Sequence, residues 1–371
     1  MLDTVVLTIP RGSYSIMKPY MFSPNANILN GSGNYLVKCM NNPTATDREN
    51  GIYRPRMTLM KRPTKNGIDL LPLRIEFSVA KMLYGNNVDE VVEADFEAVV
   101  KALRKAVLEM GVILMSREIM EASVSAFHPS KNIPLADGYT SGFVITELNK
   151  INVSKKMDLN RDSFRNDGQS LQFYTNSHSL ILYDKVQDLK KPQKRANDKD
   201  QNFLQASLFD VLTTKGRKEI LRIEARLTKK VKMNSVLSRL GFKEDPTFRD
   251  IFNKTICQKI LLDYWDELVT GQNMFVFDME SKPDRVLEKC FQNWPKIGPK
   301  EAVYLVGLRC LSREGIRKTR AIIERHATSR SWYRVAKDLP SIDEISDKQY
   351  HGWVKQIGNN LNDFMPYRLS V

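Results

Sequence analysis

The chain has few cysteines and few histidines, and the spacing of both excludes several classes of site. Its four cysteines are far apart and form no CxxC pair, which argues against a structural zinc site and a disulfide framework and favours a reducing cytoplasm. Its four histidines include no HxH or HxxxH pair, so a two-histidine metal site on one strand is absent. No apolar run is long enough to cross a bilayer, and the first ten residues lack the basic n-region of a signal peptide. We therefore expect a cytoplasmic protein with no membrane segment.

The chain carries a large excess of positive charge. Its 371 residues include 57 Lys and Arg against 43 Asp and Glu, which gives a net charge of +14 and a pI near 9.5. Hydrophobic residues make up 42% and charged residues 27% of the chain, as in an ordinary globular protein that can bury a core. Lysines and arginines that neutralise phosphates release counterions, so this excess favours nucleic acid as the partner.

The length predicts two domains, and the residue pattern divides the chain accordingly. Strands with helices among them predominate up to about residue 228, whereas most segments from Lys229 to Lys337 have helical spacing. We predict an α+β protein, with an antiparallel sheet and packed helices in residues 1–245 and a mostly helical domain in residues 246–371. The main strands are predicted at 1–10, 35–39, 56–62, 73–78, 119–128, 177–185 and 221–227, with 56–62 and 73–78 paired as a hairpin. Helices are predicted at 89–111, with Asp89 as the N-cap and Gly111 at the end, and at 203–215, and a loop is predicted at 150–170. Breaks between the later helices are predicted at Asp245 and before Pro283.

The stretch from Ser177 to Lys185 is the first candidate for chemistry. As a strand it places Tyr183 and Lys185 on the same face. A very basic run follows it, with cations at Lys190, Lys191, Lys194 and Arg195. A phenol beside an ammonium suits attack on a phosphodiester, with the lysine lowering the phenol pKa or binding the phosphate. A packing tyrosine with a solvated hydroxyl is the alternative.

Acidic residues on predicted strands are the candidate metal ligands. They are Glu76, Glu121 and Glu224, and His128 ends one of those strands. A carboxylate-rich site suits Mg²⁺ or Mn²⁺ better than zinc. Glu121 and His128 point to opposite faces, so both can be ligands only if a bulge intervenes. Glu224 lies between Arg222 and Arg226, and a surface ion pair is the alternative interpretation there.

The arginine-rich segment from Ser312 to Arg334 is the second candidate for DNA contact. It predicts two helices separated near His326 to Ser329, as in a helix-turn-helix that binds duplex DNA. A solvated basic face on a packed helical domain explains the pattern equally well.

Together these motifs resemble the replication initiators of filamentous phages and related plasmids, the II/X family, which are grouped with the HUH class of single-strand endonucleases. Residues 78–87 are similar to the family's S-x-x-K-x-L-x-G-x-N signature. The segment from Leu182 to Lys185 corresponds to its nucleophile motif, and residues 221–227 look like its R-x-E-A-R strand. The resemblance runs over nearly the full length. Unlike the wider class, which has a histidine pair on a central strand, this chain has only His128 there.

The resemblance implies a nickase that cuts one strand at a replication origin and later rejoins it. Tyr183 would form a covalent 5′-phosphotyrosine with Lys185 as its companion, and Glu76, Glu121 and Glu224 would be active-site carboxylates. Together with His128 they are the candidate ligands for Mg²⁺ or Mn²⁺. The partners implied are single- and double-stranded origin DNA and the host helicase and polymerase. The DNA contacts expected from the motifs and the basic run are Lys81, Lys190, Lys191, Lys194, Arg195, Arg222 and Arg226.

Three other functions fit the same residues. A non-catalytic origin-binding or repressor protein would use the basic C-terminal helices alone. A plasmid relaxase shares the tyrosine chemistry and differs only in its substrate site and partners. A tyrosine recombinase needs no metal, so loss of activity in EDTA would exclude it.

Overall fold

A computed structural model describes residues 1–31, 36–63, 69–152, 161–165, 169–190, 218–270, 274–278, 282–346 and 348–369. Two predictions fall outside these ranges. They are the helix from Phe203 to Lys215 and the basic run after Lys190, of which only the backbone of Lys190 is described.

The protein is a mixed α+β structure built on a large antiparallel sheet, as the sequence pattern predicts. Its strands follow one another in the order β3-β4-β6-β1-β8-β12-β11-β10-β9, with β5 paired to β4, and β2 and β7 form a separate pair. The strands are β1 Leu2–Ile9, β2 Tyr14–Ile16, β3 Val37–Asn41, β4 Arg56–Pro63, β5 Asp69–Leu70, β6 Leu73–Ser78, β7 Val112–Leu114, β8 Ser123–Leu135, β9 Arg161–Arg165, β10 Ser170–Tyr174, β11 His178–Asp184 and β12 Glu219–Leu227.

Helices connect and follow the strands in the described ranges. They are α1 Ala45–Glu49, α2 Val79–Tyr84, α3 Phe96–Glu109, α4 Ser116–Met120, α5 Ser141–Leu148, α6 Lys185–Lys190, α7 Lys230–Arg239, α8 Phe248–Ile251, α9 Lys254–Trp265, α10 Pro283–Asn293, α11 Pro299–His326, α12 Ser329–Ala336, α13 Leu339–Glu344 and α14 Gly352–Asp363. No helix in the described part of the chain is both long and apolar enough to span a bilayer.

Strand alternation decides which side chains enter the core. On β6, Leu73, Ile75 and Phe77 are buried in the main hydrophobic cluster, and β6 pairs with β4 as predicted. On β12 the residues Leu221, Ile223, Ala225 and Leu227 enter the same cluster. The intervening residues of both strands therefore lie on the opposite face, which we call the polar face.

The main cluster also contains residues beyond position 245, such as Phe248, Ile260 and Trp353. Helices follow one another there as predicted, with breaks at Asp245, whose φ is +51°, and before Pro283. The core is thus shared between the sheet and the helices that follow it in sequence. The division into domains at residue 245 stays a prediction.

The prediction of a strand from Ile119 to His128 was wrong at both ends. Ile119 is a fully buried residue of α4, and Glu121 caps that helix rather than lying on a strand. Since a single buried side chain fits either conformation, the local pattern could not separate the two. The strand also continues past His128 through Pro129, because a β-bulge lies opposite that proline and bulges tolerate the missing N–H.

Two other predictions need correction. Asp89 does not cap α3: a 3₁₀ turn over Glu93–Asp95 precedes the helix, and the Asp95 carboxylate accepts from the Val92 N–H. Gly111 follows the helix end with a φ of +84°, as predicted. The predicted loop at residues 150–170 contains the strand β9, which lies at one end of the sheet order.

Candidate active site

A cluster of ionisable side chains lies on the polar face where β1, β8, β12 and β11 are adjacent. Glu224 of β12 is at its centre and is 1% exposed. Its carboxylate contacts His128 of β8, with 3.4 Å between Oε1 and Nδ1, and Arg226 of its own strand, with 2.6 Å between Oε1 and Nε. Its other oxygen, Oε2, accepts from the Tyr183 phenol at 3.4 Å. Side chains from three strands thus converge on one carboxylate.

Two bulges bring Asp3 and His128 to this face. Leu2 and Val5 of β1 both enter the core although they are three residues apart, and the register with β8 shifts between them. Val124 and Phe127 of β8 show the same pattern. An extra residue in a strand reverses the direction of the side chains beyond it, so Asp3 and His128 share the polar face with Glu224.

Asp3, His128 and Glu224 form a group that could hold a metal ion. One ligand atom from each residue lies within 4.8 Å of the other two. Ligand atoms bound to one Mg²⁺ or Mn²⁺ at roughly 2.0–2.6 Å lie at most about 5 Å apart, so this separation is compatible with a shared ion. The strand prediction missed Asp3. The available signal was that Asp3 is the one charged residue of the first strand.

Arg222 fixes the position of Asp3. Its Nη2 donates to Asp3 Oδ1 at 2.6 Å and to the Ser130 hydroxyl at 3.0 Å, and its Nη1 donates to the Asn87 carbonyl at 2.8 Å. The guanidinium is 3% exposed, and a buried charge needs such partners. Arg222 therefore holds Asp3 in place from inside the protein. Arg226, in contrast, has 40% of its side chain exposed and can contact a molecule bound at the surface.

The pKa values of the central groups reflect burial and charge. Burial raises the pKa of Tyr183 well above its usual value, Glu224 adds to this effect and Arg222 opposes it. Burial alone would raise the pKa of Glu224, but Arg226, His128 and Arg222 together hold it well below its usual value. Burial and Glu224 thus favour the neutral phenol, and the neighbouring cations favour the charged form of the Glu224 carboxylate.

Lys185 lies next to Tyr183, as expected, although it begins α6 rather than ending the strand. Its ammonium is 5.6 Å from the centre of the Tyr183 ring and 3.1 Å from the Asp188 carboxylate. The residue is fully buried, and this burial lowers its pKa. Lys185 therefore lies behind the phenol ring and is not open to solvent.

The other predicted residues lie away from this cluster. Glu121 forms an exposed ion pair with Arg249, 3.3 Å between Oε1 and Nε. Glu76 lines a pocket further along the polar face. Lys81 is buried, with its ammonium 5.9 Å from the centre of the Tyr53 ring. The geometry thus supports His128 and Glu224 as ligands together with Asp3. Lys191, Lys194 and Arg195 lie outside the described residues.

The C-terminal basic segment forms two helices, α11 and α12, that are separated after His326 as predicted. The first is longer than expected and is interrupted at Gly315, whose φ of +129° is not helical. Trp332 of α12 is buried, whereas Arg330 and Arg334 are exposed. The arrangement leaves arginines of α12 available to a polyanion.

The central cluster brings together a tyrosine phenol, a carboxylate and a possible cation site. A phenol attacks phosphorus only when its proton is removed and the phosphate charge is neutralised. Tyr183, Glu224 and the Asp3–His128–Glu224 group lie within one set of contacts. Comparison of the chain with protein-family models, with curated proteins and with solved structures found no match, so its function is inferred from this geometry.

Proposed function

We propose that the protein is a metal-dependent nicking and joining enzyme of the HUH class that initiates rolling-circle replication. The observation that carries the proposal is the 3.4 Å contact of the Tyr183 phenol with Glu224, a carboxylate that also belongs to the possible metal group with Asp3 and His128. A tyrosine that only packs in the core needs neither a carboxylate at its hydroxyl nor a possible metal group beside that carboxylate.

The donor set fits Mg²⁺ or Mn²⁺. Two carboxylates suit either ion, and one imidazole favours Mn²⁺ over Mg²⁺. When bound, the cation would hold and polarise the scissile phosphate. The hydrogen bonds of Arg222 keep Asp3 oriented for this purpose, in the way that outer-shell partners orient metal ligands.

In the cleavage step, the Tyr183 oxygen attacks phosphorus and its proton passes to Glu224. The new oxygen–phosphorus bond replaces the bond from phosphorus to the 3′ oxygen, which leaves as a 3′-hydroxyl after taking a proton from water. The 5′ side of the DNA stays covalently bound to Tyr183. Attack by a 3′-hydroxyl on this phosphotyrosine reverses the step and rejoins the strand.

The charge of the chain supports DNA as the substrate. A net charge of +14 strengthens binding to single and double strands through counterion release. We propose that the exposed guanidinium of Arg226 contacts the DNA backbone and that the basic run after Lys190 adds to this binding. The 3′-hydroxyl would serve a host polymerase while a host helicase separates the strands, in the cytoplasm of the host cell.

The proposal is tested by trapping the covalent intermediate. A pool of single-stranded oligonucleotides of random sequence is incubated with the protein and Mn²⁺, with the label at either the 3′ or the 5′ end. The 3′ label should migrate with the protein on a denaturing gel, and the 5′ label should not. Tyr183→Phe should abolish the adduct while binding persists. Tyr174→Phe, on the neighbouring strand β10, is the matched control and should form the adduct normally.

An adduct in Tyr183→Phe would refute the assignment of the nucleophile. Adduct formation in EDTA would refute the metal and favour recombinase-type chemistry. The exposed arginines of α12 favour one other function, an origin-binding or repressor protein without catalysis. That function would give salt-sensitive duplex binding and no adduct with any divalent metal. A relaxase would form the same adduct and differ in its DNA site.

A further inference from the structure

A second concave site lies on the polar face, over β3, β4, β6, β1 and β8. Its volume is about 340 Å³, within the roughly 300–1,000 Å³ typical of ligand pockets. Three cationic side chains line it, Lys38, Arg56 and Arg74, together with one acid, Glu76. We call it the basic pocket.

Two of its cations are free to bind an anion. Lys38 and Arg74 are exposed, and among the described residues neither makes a hydrogen bond or an ion pair. Arg56 is held by the Asn42 side chain, which accepts from its Nε at 3.0 Å. The pocket thus carries three cations against one acid, and this excess of positive charge attracts a phosphate.

The acid of the basic pocket is also without a partner. Glu76 is half-buried, and within the described ranges its carboxylate accepts no hydrogen bond and forms no ion pair. A carboxylate accepts hydrogen bonds only, so it selects a ligand with donor groups. In nucleic-acid recognition, the typical partner of a glutamate is the amino group of cytosine.

The remaining walls fit a nucleoside. Met40, Met60 and Pro72 provide apolar surface for a base, and the hydroxyls of Thr8 and Ser125, 2.5 Å apart, lie at the edge. Methionine side chains adapt to flat aromatic rings. The pocket thus combines apolar, acidic and cationic surfaces, which match the base, the amino group and the phosphate of a nucleotide.

The basic pocket and the candidate active site are close on the same strand. Ser125 lines the pocket and His128 belongs to the metal group, three residues further along β8. Three strand residues span roughly 10 Å. The bulge between Val124 and Phe127 places both side chains on the polar face. A single DNA strand crossing this face would pass both sites.

We propose that the basic pocket holds one nucleotide of the DNA strand that is cut at Tyr183, and that it prefers cytosine. The base packs against Met40 and Met60, its amino group donates to Glu76, and the adjoining phosphates bind Lys38 and Arg74. This inference rests on the proposed function and adds a sequence preference a few nucleotides from the scissile phosphate.

The first test measures the salt dependence of binding. A fluorescein-labelled (dC)₁₂ oligonucleotide is titrated with the full chain in EDTA at several salt concentrations. Each phosphate contact with a single strand contributes about 0.7 to the slope of log affinity against log salt. The double variant Lys38→Gln/Arg74→Gln should therefore lower the slope by about 1.4. Arg104→Gln/Lys105→Gln on α3 removes the same charge from the core side of the sheet and should leave the slope unchanged. Equal slopes for the two double variants would overturn the proposal.

The second test measures base preference. The unchanged protein should bind (dC)₁₂ about tenfold more tightly than (dT)₁₂, since thymine has no amino group. Glu76→Gln should bind both equally, because an amide both donates and accepts. No preference in the unchanged protein would overturn the contact with Glu76. Competition by deoxycytidine monophosphate as strong as that by (dC)₁₂ would also overturn the proposal, because it would indicate a small-molecule site.

Both measurements are independent of cleavage, because EDTA removes the metal. If the salt slopes and the base preference are as expected but no covalent adduct forms, the pocket is supported and the nickase is rejected. An adduct that forms at Tyr183 together with unchanged slopes and no base preference would reject the pocket alone.

Discussion

The phenol oxygen of Tyr183 lies 3.4 Å from Oε2 of Glu224, although the two residues are not directly opposed. Across the β11–β12 pair, Tyr183 faces Arg222, and Glu224 faces Ile181. Diagonal neighbours on adjacent strands are roughly 7–8 Å apart, a distance that long side chains can bridge. The phenol therefore has a carboxylate at its oxygen and a guanidinium opposite its own backbone, so one strand register supplies both a negative and a positive charge.

Replacement of Glu224 by glutamine tests the proton acceptor. Glutamine at this position would keep the shape of the side chain but bind a proton and a cation far less well. We expect the rate of adduct formation to fall by about 10²-fold or more, the usual contribution of a general base, with DNA binding nearly unchanged. Single-turnover gel assays with the 3′-labelled pool measure the rate.

Glu121→Gln is the control for that variant, because Glu121 was also predicted as a ligand. Its ion pair with Arg249 has about half of each side chain exposed, and exposed pairs contribute about 0–1 kcal/mol. We expect normal adduct formation and a free energy of unfolding lower by less than about 0.5 kcal/mol. A loss of activity in this variant as large as in Glu224→Gln would contradict the assigned cluster.

Asp3→Asn tests the metal group. The amide is a weaker ligand than a carboxylate, and it also leaves Arg222 without its acidic partner. We expect Mn²⁺ affinity, measured by calorimetry, to fall at least about tenfold. Asp137→Asn is the control, since the Asp137 carboxylate accepts from the Gln356 amide on the surface. Equal Mn²⁺ affinity in Asp3→Asn and the unchanged protein would remove Asp3 from the site.

The sequence predicted the regular strands better than the bulged ones. Strict alternation located β6 and β12 and the face on which Glu224 lies. The charge of Asp3 within the first strand was a signal, but its place beside Glu224 depends on one extra residue between Leu2 and Val5, which no local pattern shows. Glu121 was misplaced for a related reason: the short helix α4 and a strand bury Ile119 equally well. Pairing between distant strands decided the position of Asp3.

Stability should decrease in mild acid because of His178. The Nδ1 of His178 lies 2.6 Å from the Tyr264 hydroxyl, and burial together with the charge of Lys232 lowers the pKa of His178 to about 4. The unfolded chain takes up this proton near its ordinary pKa of about 6.5, and the folded chain does so only near pH 4. Stability is therefore lost as the pH falls between these values and is constant on either side. Because the ring is only partly buried, we expect a loss of about 1 kcal/mol.

Urea unfolding at pH 7 and pH 5 measures this effect, with His178→Gln for comparison. The variant should be less stable at pH 7, where it loses the ring contact with Tyr264. Its free energy of unfolding should fall less between the two pH values than that of the unchanged protein. Equal decreases in the two proteins would show that other groups cause the acid sensitivity.

A buried ion pair in the helical part should be far more sensitive to mutation than a surface pair. Arg309 of α11 donates to the Asp278 carboxylate at 2.7 Å and to the Phe275 carbonyl at 3.0 Å, and both charged side chains are almost fully buried. Arg309→Leu would leave the Asp278 charge buried without its guanidinium. We expect the free energy of unfolding to fall by about 3–5 kcal/mol. Arg239→Leu removes a half-exposed partner of Asp263 and should cost at most about 1 kcal/mol. Urea unfolding at neutral pH measures both, and similar losses would mean that burial does not govern these pairs.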